Sequence, residues 1–175
     1  MKNKIKNRRL VMVILYTDRE RSVMYNYETK SLEVVTLKSK YVVPIEILAA
    51  EIEKGNLGTK KDASEDLSLI SSILKEKPFS EQEAKKLIQK YDAKIVHNGI
   101  VKELTFKGLV ALAKNAGVPN ERIPIFVSRV LGFLIQKYYT HKDIPSLKSI
   151  KRIIRDLSEL ELALQKVKNT LTGGD

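Results

Sequence analysis

Residues that could act as acids, bases or metal ligands are few and widely spaced in this sequence. Its two histidines, His97 and His141, have no second histidine or carboxylate at a recognised ligand spacing. The chain has no cysteine, which removes thiolate nucleophiles and thiolate zinc sites, and it has no glycine-rich phosphate-binding pattern. Each histidine is therefore interpreted as a solvated or capping residue, and we expect no metal and no cofactor.

Acidic residues do cluster near the C-terminus, at Asp156, Glu159 and Glu161. Asp156 and Glu159 are three positions apart and would share a helix face, as a pair of catalytic carboxylates would. Arg152 and Arg155 are close enough in sequence to neutralise them, so a solvated face of ion pairs is the favoured interpretation. With no base, nucleophile or metal set elsewhere, the sequence predicts that the chain is not an enzyme.

The composition is that of a globular protein with a strong basic excess. Its 175 residues suffice for one ordinary domain or for a small module joined to a larger one. The formal net charge is +11, which favours encounters with polyanions or acidic protein surfaces. The densest basic cluster lies at the N-terminus and offers candidate phosphate contacts at Lys2, Lys4, Lys6, Arg8 and Arg9.

Nothing in the sequence indicates a membrane protein. The apolar run at residues 10–15 is too short for a signal peptide or a spanning helix, and no other stretch approaches the necessary length. We expect a cytoplasmic, nucleoid-associated protein.

The pattern of apolar residues predicts an α+β fold in which a small antiparallel sheet precedes a larger helical domain. Three short runs rich in β-branched and aromatic residues, VMVILY, VMYNY and LEVVTL, predict about three strands in an antiparallel meander. Helical spacing begins after Pro44. We expect a β-rich domain with a closing helix at 1–57, a linker at 58–62 and a helical domain at 63–175.

The longest predicted helix starts at Pro145 and carries an apolar stripe wide enough to touch two neighbours. One edge would serve the core of this chain, and the other would be covered by another subunit. The predicted subunit interface consists of Leu147, Ile150, Ile154, Leu157, Leu160, Leu164, Val167 and Leu171.

A DNA-binding module is the alternative. The segment TFKGLVALAKNAGVPNERIPIFVSRVL has the length and the glycine-bearing turn of a helix-turn-helix. The polar residues of its second helix, taken as exposed, are Arg122, Ser128, Arg129 and Gln136. Because they are few and the apolar stripe is long, a core helix is favoured over a DNA reader.

Two segments resemble motifs of the GINS replication subunits. The segment LIQKYYTHKDIPSLKSIKRIIRDLSELELALQKV is similar to their helical-domain signature, with an Ile-Pro turn at Ile144 and Pro145 and an Asp-Leu pair at Asp156 and Leu157. The second segment runs from Val43 and Pro44 through Ile45, Leu48 and Ala49, and resembles the VPLWLA motif of subunits that carry the β domain first.

The sequence also departs from that pattern. Glu46 stands where the family has an aromatic residue, Glu161 stands at or near a frequent arginine, and residues 58–120 have no recognised counterpart. The resemblance covers about half of the chain.

This resemblance implies a scaffold without an active site. Archaeal GINS complexes are heterotetramers of two β-first and two α-first subunits, and they join the MCM helicase to a RecJ-like partner. Primase is a further partner in some lineages. For this chain the resemblance implies an α-first GINS partner subunit and weak or indirect contact with DNA.

Overall fold

The structure is a computed structural model that describes residues 12–54, 70–95, 105–139 and 146–171. At residues 91–95, 139 and 147 only the backbone is described. Several predictions concern residues outside these ranges. They are the N-terminal basic cluster, the linker at 58–62, His97, His141, Ile144 and Pro145.

The described chain begins with a four-stranded antiparallel meander in the order β1-β2-β3-β4. The strands are β1 (Met12–Thr17), β2 (Arg21–Asn26), β3 (Ser31–Thr36) and β4 (Lys40–Pro44). The prediction of a sheet ahead of the helices is confirmed, but the sheet has four strands where about three were predicted. The fourth strand, KYVVP, was missed because it is a short edge strand that ends in proline and leaves Val42 half exposed.

A polar side chain at the start of each turn fixes the connections of this sheet. The Asp18 carboxylate accepts hydrogen bonds from the backbone N–H groups of Glu20 and Arg21, and the Asn26 side chain does the same for Thr29. The Thr36 hydroxyl accepts from the Ser39 N–H at 2.9 Å. Such local bonds stabilise tight turns, and turns this short allow only antiparallel pairing.

Helices follow the sheet. A 3₁₀ turn (Ile45–Ile47) leads into α1 (Leu48–Lys54), and residues 70–74 are also helical. The remaining helices are α2 (Glu81–Ile95), α3 (Phe106–Asn115), α4 (Ile123–Leu134) and α5 (Leu147–Leu171); a 3₁₀ turn (Asn120–Arg122) precedes α4 and a π-helical turn (Ile135–Tyr139) ends it.

Local sequence signals set the ends of several helices. Ser80 and Glu83 form a capping box at the start of α2, each side chain accepting from the backbone N–H of the other. Gly117 lies just after the end of α3, and its φ of +86° is a backbone conformation that glycine adopts without strain. The Val118 N–H then bonds the Ala113 carbonyl at 3.0 Å, which closes a Schellman motif.

One hydrophobic core joins the sheet to the helices. The inner face of the sheet contributes Val23, Tyr25, Leu32 and Val34, none more than 1% exposed, and α4 and α5 contribute most of the helical side. Helix α5 is contacted by α1, α3 and α4. The α+β layout is therefore as predicted, with α5 lying at the centre of the packing.

Candidate functional site

The predicted subunit interface on α5 is buried inside this chain. Ile150, Ile154, Leu157, Leu160, Leu164 and Val167 are at most 4% exposed. Of the other two predicted residues, Leu171 is 37% exposed and the side chain of Leu147 is not among those described. The stripe does touch more than one neighbour, but these neighbours are α1, α3 and α4 of the same polypeptide. At the six buried positions, the prediction that a second subunit covers the stripe is therefore wrong.

The two segments that resemble GINS motifs meet in space. Helix α1, which follows Pro44, packs against α5, with Leu48 and Ile52 buried in the contact region. The Tyr25 hydroxyl, on the sheet, donates a hydrogen bond of 3.1 Å to the backbone carbonyl of Asp156 on α5. Val43 and Ile45 are buried, Ala49 is partly buried and Pro44 is exposed. Residues far apart in sequence therefore build one junction between the sheet, α1 and α5.

Asp156 lies at this junction and is almost fully buried, 1% exposed. Its Oδ1 atom has no hydrogen-bond partner in the described structure, and the nearest ion pair runs to Arg155 Nε at 3.7 Å. Burial raises the pKa of this carboxyl, while the positive charges of Lys30 and Arg155 oppose the increase. The prediction that Asp156 belongs to a solvated face is wrong, because the turn of α5 that bears it faces the sheet.

Glu159, by contrast, remains partly exposed. Its carboxylate pairs with the Lys30 ammonium at 3.1 Å, and both side chains are 40% exposed. Lys30 ends the β2–β3 turn with a φ of +54°, a conformation that non-glycine residues seldom adopt. The pair links this turn to α5 at the solvent boundary. Glu159 is therefore in an ion pair as predicted, but its partner is Lys30 rather than Arg152 or Arg155.

Glu161 forms the centre of a buried ion network. Its Oε1 accepts from Arg122 Nε at 2.9 Å and from Arg122 Nη2 at 2.7 Å, and its Oε2 accepts from Arg129 Nη1. Glu161 is completely buried, and the arginines are 2% and 5% exposed. Arg122 also donates to the Leu74 carbonyl at 3.0 Å. These bonds tie α4 and α5 to the helical residues 70–74.

A second carboxylate balances the charge of this network. Glu76 Oε2 lies 3.4 Å from Arg129 Nη2 at the edge of the cluster, which makes two cations and two anions in all. Burial raises the pKa of Glu76, and Arg129 opposes that increase. A buried charge cluster is stable only when it is paired in this way.

The network also changes the interpretation of the helix-turn-helix segment. The DNA-binding alternative took Arg122 and Arg129 as exposed reading residues, and that assignment is wrong because both guanidinium groups are buried. Ser128 is partly buried and accepts a hydrogen bond of 2.7 Å from the Phe79 N–H. Helix α4 is a core helix with nine buried residues among its twelve, so it has no polar face to place in a DNA groove.

An open groove lies beside the junction, between the 3₁₀ turn (Ile45–Ile47) that leads into α1 and the outer face of α5, and we name it the α1–α5 groove. It has a volume of about 560 Å³ and its lining includes Ile45, Glu46, Pro119, Leu162, Ala163 and Lys166. Leu162 is 41% exposed although it is a large apolar residue on α5. The groove is the candidate interaction site because both resemblance segments contribute to its walls.

In the described residues, no cluster of three or more histidine, cysteine or acidic residues is arranged to hold a metal ion. Nor does any described helix combine the length and apolar character required to cross a bilayer. Comparisons of the chain with protein-family models, with curated proteins and with solved structures give no match.

Proposed function

We propose that this chain is a non-catalytic structural subunit of a GINS replication complex, of the type that carries its β domain first. In this role it would bind an α-first subunit in a heterotetramer. The assembly would scaffold and activate the MCM helicase together with a RecJ-like partner, and primase would join in some lineages.

The observation that carries the proposal is the junction between the two motif-like segments. The segment from Val43 to Ala49 and the Asp156–Leu157 pair were recognised separately in the sequence, and α1 and α5 pack together in the fold. Leu48 and Leu157 are both fully buried. A shared structural role explains why the two motifs occur together, and it favours a single family architecture over two unrelated coincidences.

The fold restricts where an α-first subunit would bind. Because the α5 stripe is buried in the chain's own core, an α-first subunit must bind a different surface. We place the contact at the α1–α5 groove, where Leu162 offers an exposed apolar anchor and Glu46 and Lys166 provide a polar rim. Interfaces commonly combine a buried apolar centre with such a rim.

The direct test is reconstitution. The full chain is mixed with a purified α-first GINS subunit, and the molar mass is measured by size-exclusion chromatography with light scattering. A single species containing two copies of each subunit is the expected result.

Separate elution of the two proteins at micromolar concentration would overturn the proposal, because a scaffold of this type must bind its partner stably. An α-first subunit with a deleted helical domain serves as the control, since it retains a β domain but lacks the helices that build the complex.

A further inference from the structure

The N-terminal half of α5 carries a strongly basic outer face. Lys148, Lys151, Arg152 and Arg155 are all exposed, and they line one open concavity on the surface. Their spacing of three, four and seven positions places them on one side of the helix. Ile150, Ile153 and Ile154 lie on the opposite side and are buried in the core. We name these four cations the α5 basic face.

The charges of this face are largely uncompensated within the described structure. Lys148, Lys151 and Arg152 form no ion pair with any described residue, and the only pairing of Arg155 is with the buried Asp156 at 3.7 Å. The first turn of α5 contains no acidic residue. Cations near a helix N-terminus are opposed by the helix dipole, so this arrangement does not serve the stability of α5.

The chemistry of the face favours one class of partner. Protein interfaces depend on apolar or aromatic anchors at their centre, and membrane-surface helices insert apolar side chains. The large exposed apolar residues of the described chain all lie outside residues 148–155. The face also lacks aromatic side chains on which single-stranded bases could stack. What remains is a row of cations about 10 Å long, which matches about three base-pair steps of about 3.4 Å measured along the axis of a duplex.

We propose that the α5 basic face binds the phosphate backbone of duplex DNA without reading its sequence. Lys148, Lys151 and Arg152 neutralise phosphates directly, and Arg155 contributes from the end of the row. The site stands independently of the GINS assignment, because it needs only the exposed cations of this chain. It is also distinct from the helix-turn-helix segment, whose arginines are buried.

The test measures binding of the full chain to a fluorescent duplex as a function of salt concentration. In the wild type, log K should fall steeply as log salt concentration rises. The triple variant Lys148→Gln, Lys151→Gln, Arg152→Gln should make this slope less steep by about 2 to 3, since each lost phosphate contact removes about 0.9. The affinity should fall equally for duplexes of unrelated sequence.

A matched control variant distinguishes DNA binding at this face from a general effect of the protein's net positive charge. Lys86→Gln, Lys107→Gln, Lys114→Gln removes the same three charges from exposed positions on α2 and α3, and it should retain the wild-type slope. Equal losses in both variants, no loss in the first, or no duplex binding by the wild type would each overturn the proposal. Displacement of the duplex by poly-glutamate at equal charge concentration would also overturn it, in favour of an acidic protein partner.

Discussion

The Tyr25 hydroxyl on the sheet donates to the Asp156 carbonyl on α5 across 131 positions of sequence, at 3.1 Å. Both residues are buried, and this bond joins the first part of the fold to its last helix. It also satisfies the one polar atom of a tyrosine side chain that is otherwise surrounded by the core. Burial raises the pKa of Tyr25 well above its usual value, so the hydroxyl remains a donor.

Replacing Tyr25→Phe removes this donor while keeping the ring. The free energy of unfolding should fall by about 1 kcal/mol, the usual net value of a buried hydrogen bond. Chemical denaturation monitored by circular dichroism measures the change. Tyr16→Phe is the matched control, because the Tyr16 hydroxyl bonds Asp18 in an exposed position. If the two substitutions lower the free energy of unfolding equally, the Tyr25 hydrogen bond does not stabilise the contact between the sheet and α5.

The buried ion network should respond strongly to loss of its central anion. Glu161→Gln leaves Arg122 and Arg129 buried with only Glu76 as counter-charge, and we expect a loss of about 3 to 5 kcal/mol in unfolding free energy. Glu159→Gln, two positions away on the same helix, removes only a half-exposed pair and should cost less than about 1 kcal/mol. Similar denaturation midpoints for the two variants would contradict the role assigned to Glu161.

The contribution of Asp156 to the stability of the fold should change with pH in a definite direction. Because burial raises the pKa of this carboxyl in the fold, the protonated form is favoured there, and its contribution to stability is lost as pH rises above its usual value of 3.8. Asp156→Asn should therefore be more stable than the wild type at neutral pH. The difference in stability between Asp156→Asn and the wild type should decrease as pH falls toward 3.8. Thermal unfolding at several pH values measures it.

For Glu121→Gln we expect a change in stability of the opposite sign at neutral pH. The hydrogen bond from Lys168 lowers the pKa of Glu121, so its contribution is present at neutral pH and is lost as pH falls through the depressed pKa. This variant should be the less stable one at neutral pH. A stability profile of Asp156→Asn parallel to that of Glu121→Gln would refute the burial argument.

The α1–α5 groove can be tested by charge insertion. Leu162→Glu places a carboxylate at the exposed apolar anchor, and binding of an α-first GINS subunit should weaken at least about tenfold, as for loss of an interface hot spot. Leu37→Glu introduces the same charge at an 83% exposed position on the β3–β4 turn and should bind normally. Retention of wild-type affinity by Leu162→Glu, in a folded protein, would place the partner elsewhere.

Local signals in the sequence determined most elements of this fold and the order of sheet before helices, although they missed the edge strand β4. The β-branched and aromatic residues of the first strands, the Ser80 and Glu83 capping box, the stop at Gly117 and the spacing of the α5 stripe each act within a few residues. Such signals can be recognised before the chain is folded, because the groups that satisfy one another are neighbours in sequence.

Only the tertiary structure decided which partners those elements have. Glu161 and Arg122 are 39 positions apart, and charged residues without a nearby partner in sequence are reasonably assigned to the surface. Likewise the α5 stripe shows how much apolar area must be covered, but its periodicity does not say which polypeptide covers it. Burial depends on the packing of distant segments, and here that packing placed the stripe and the ion network inside one chain.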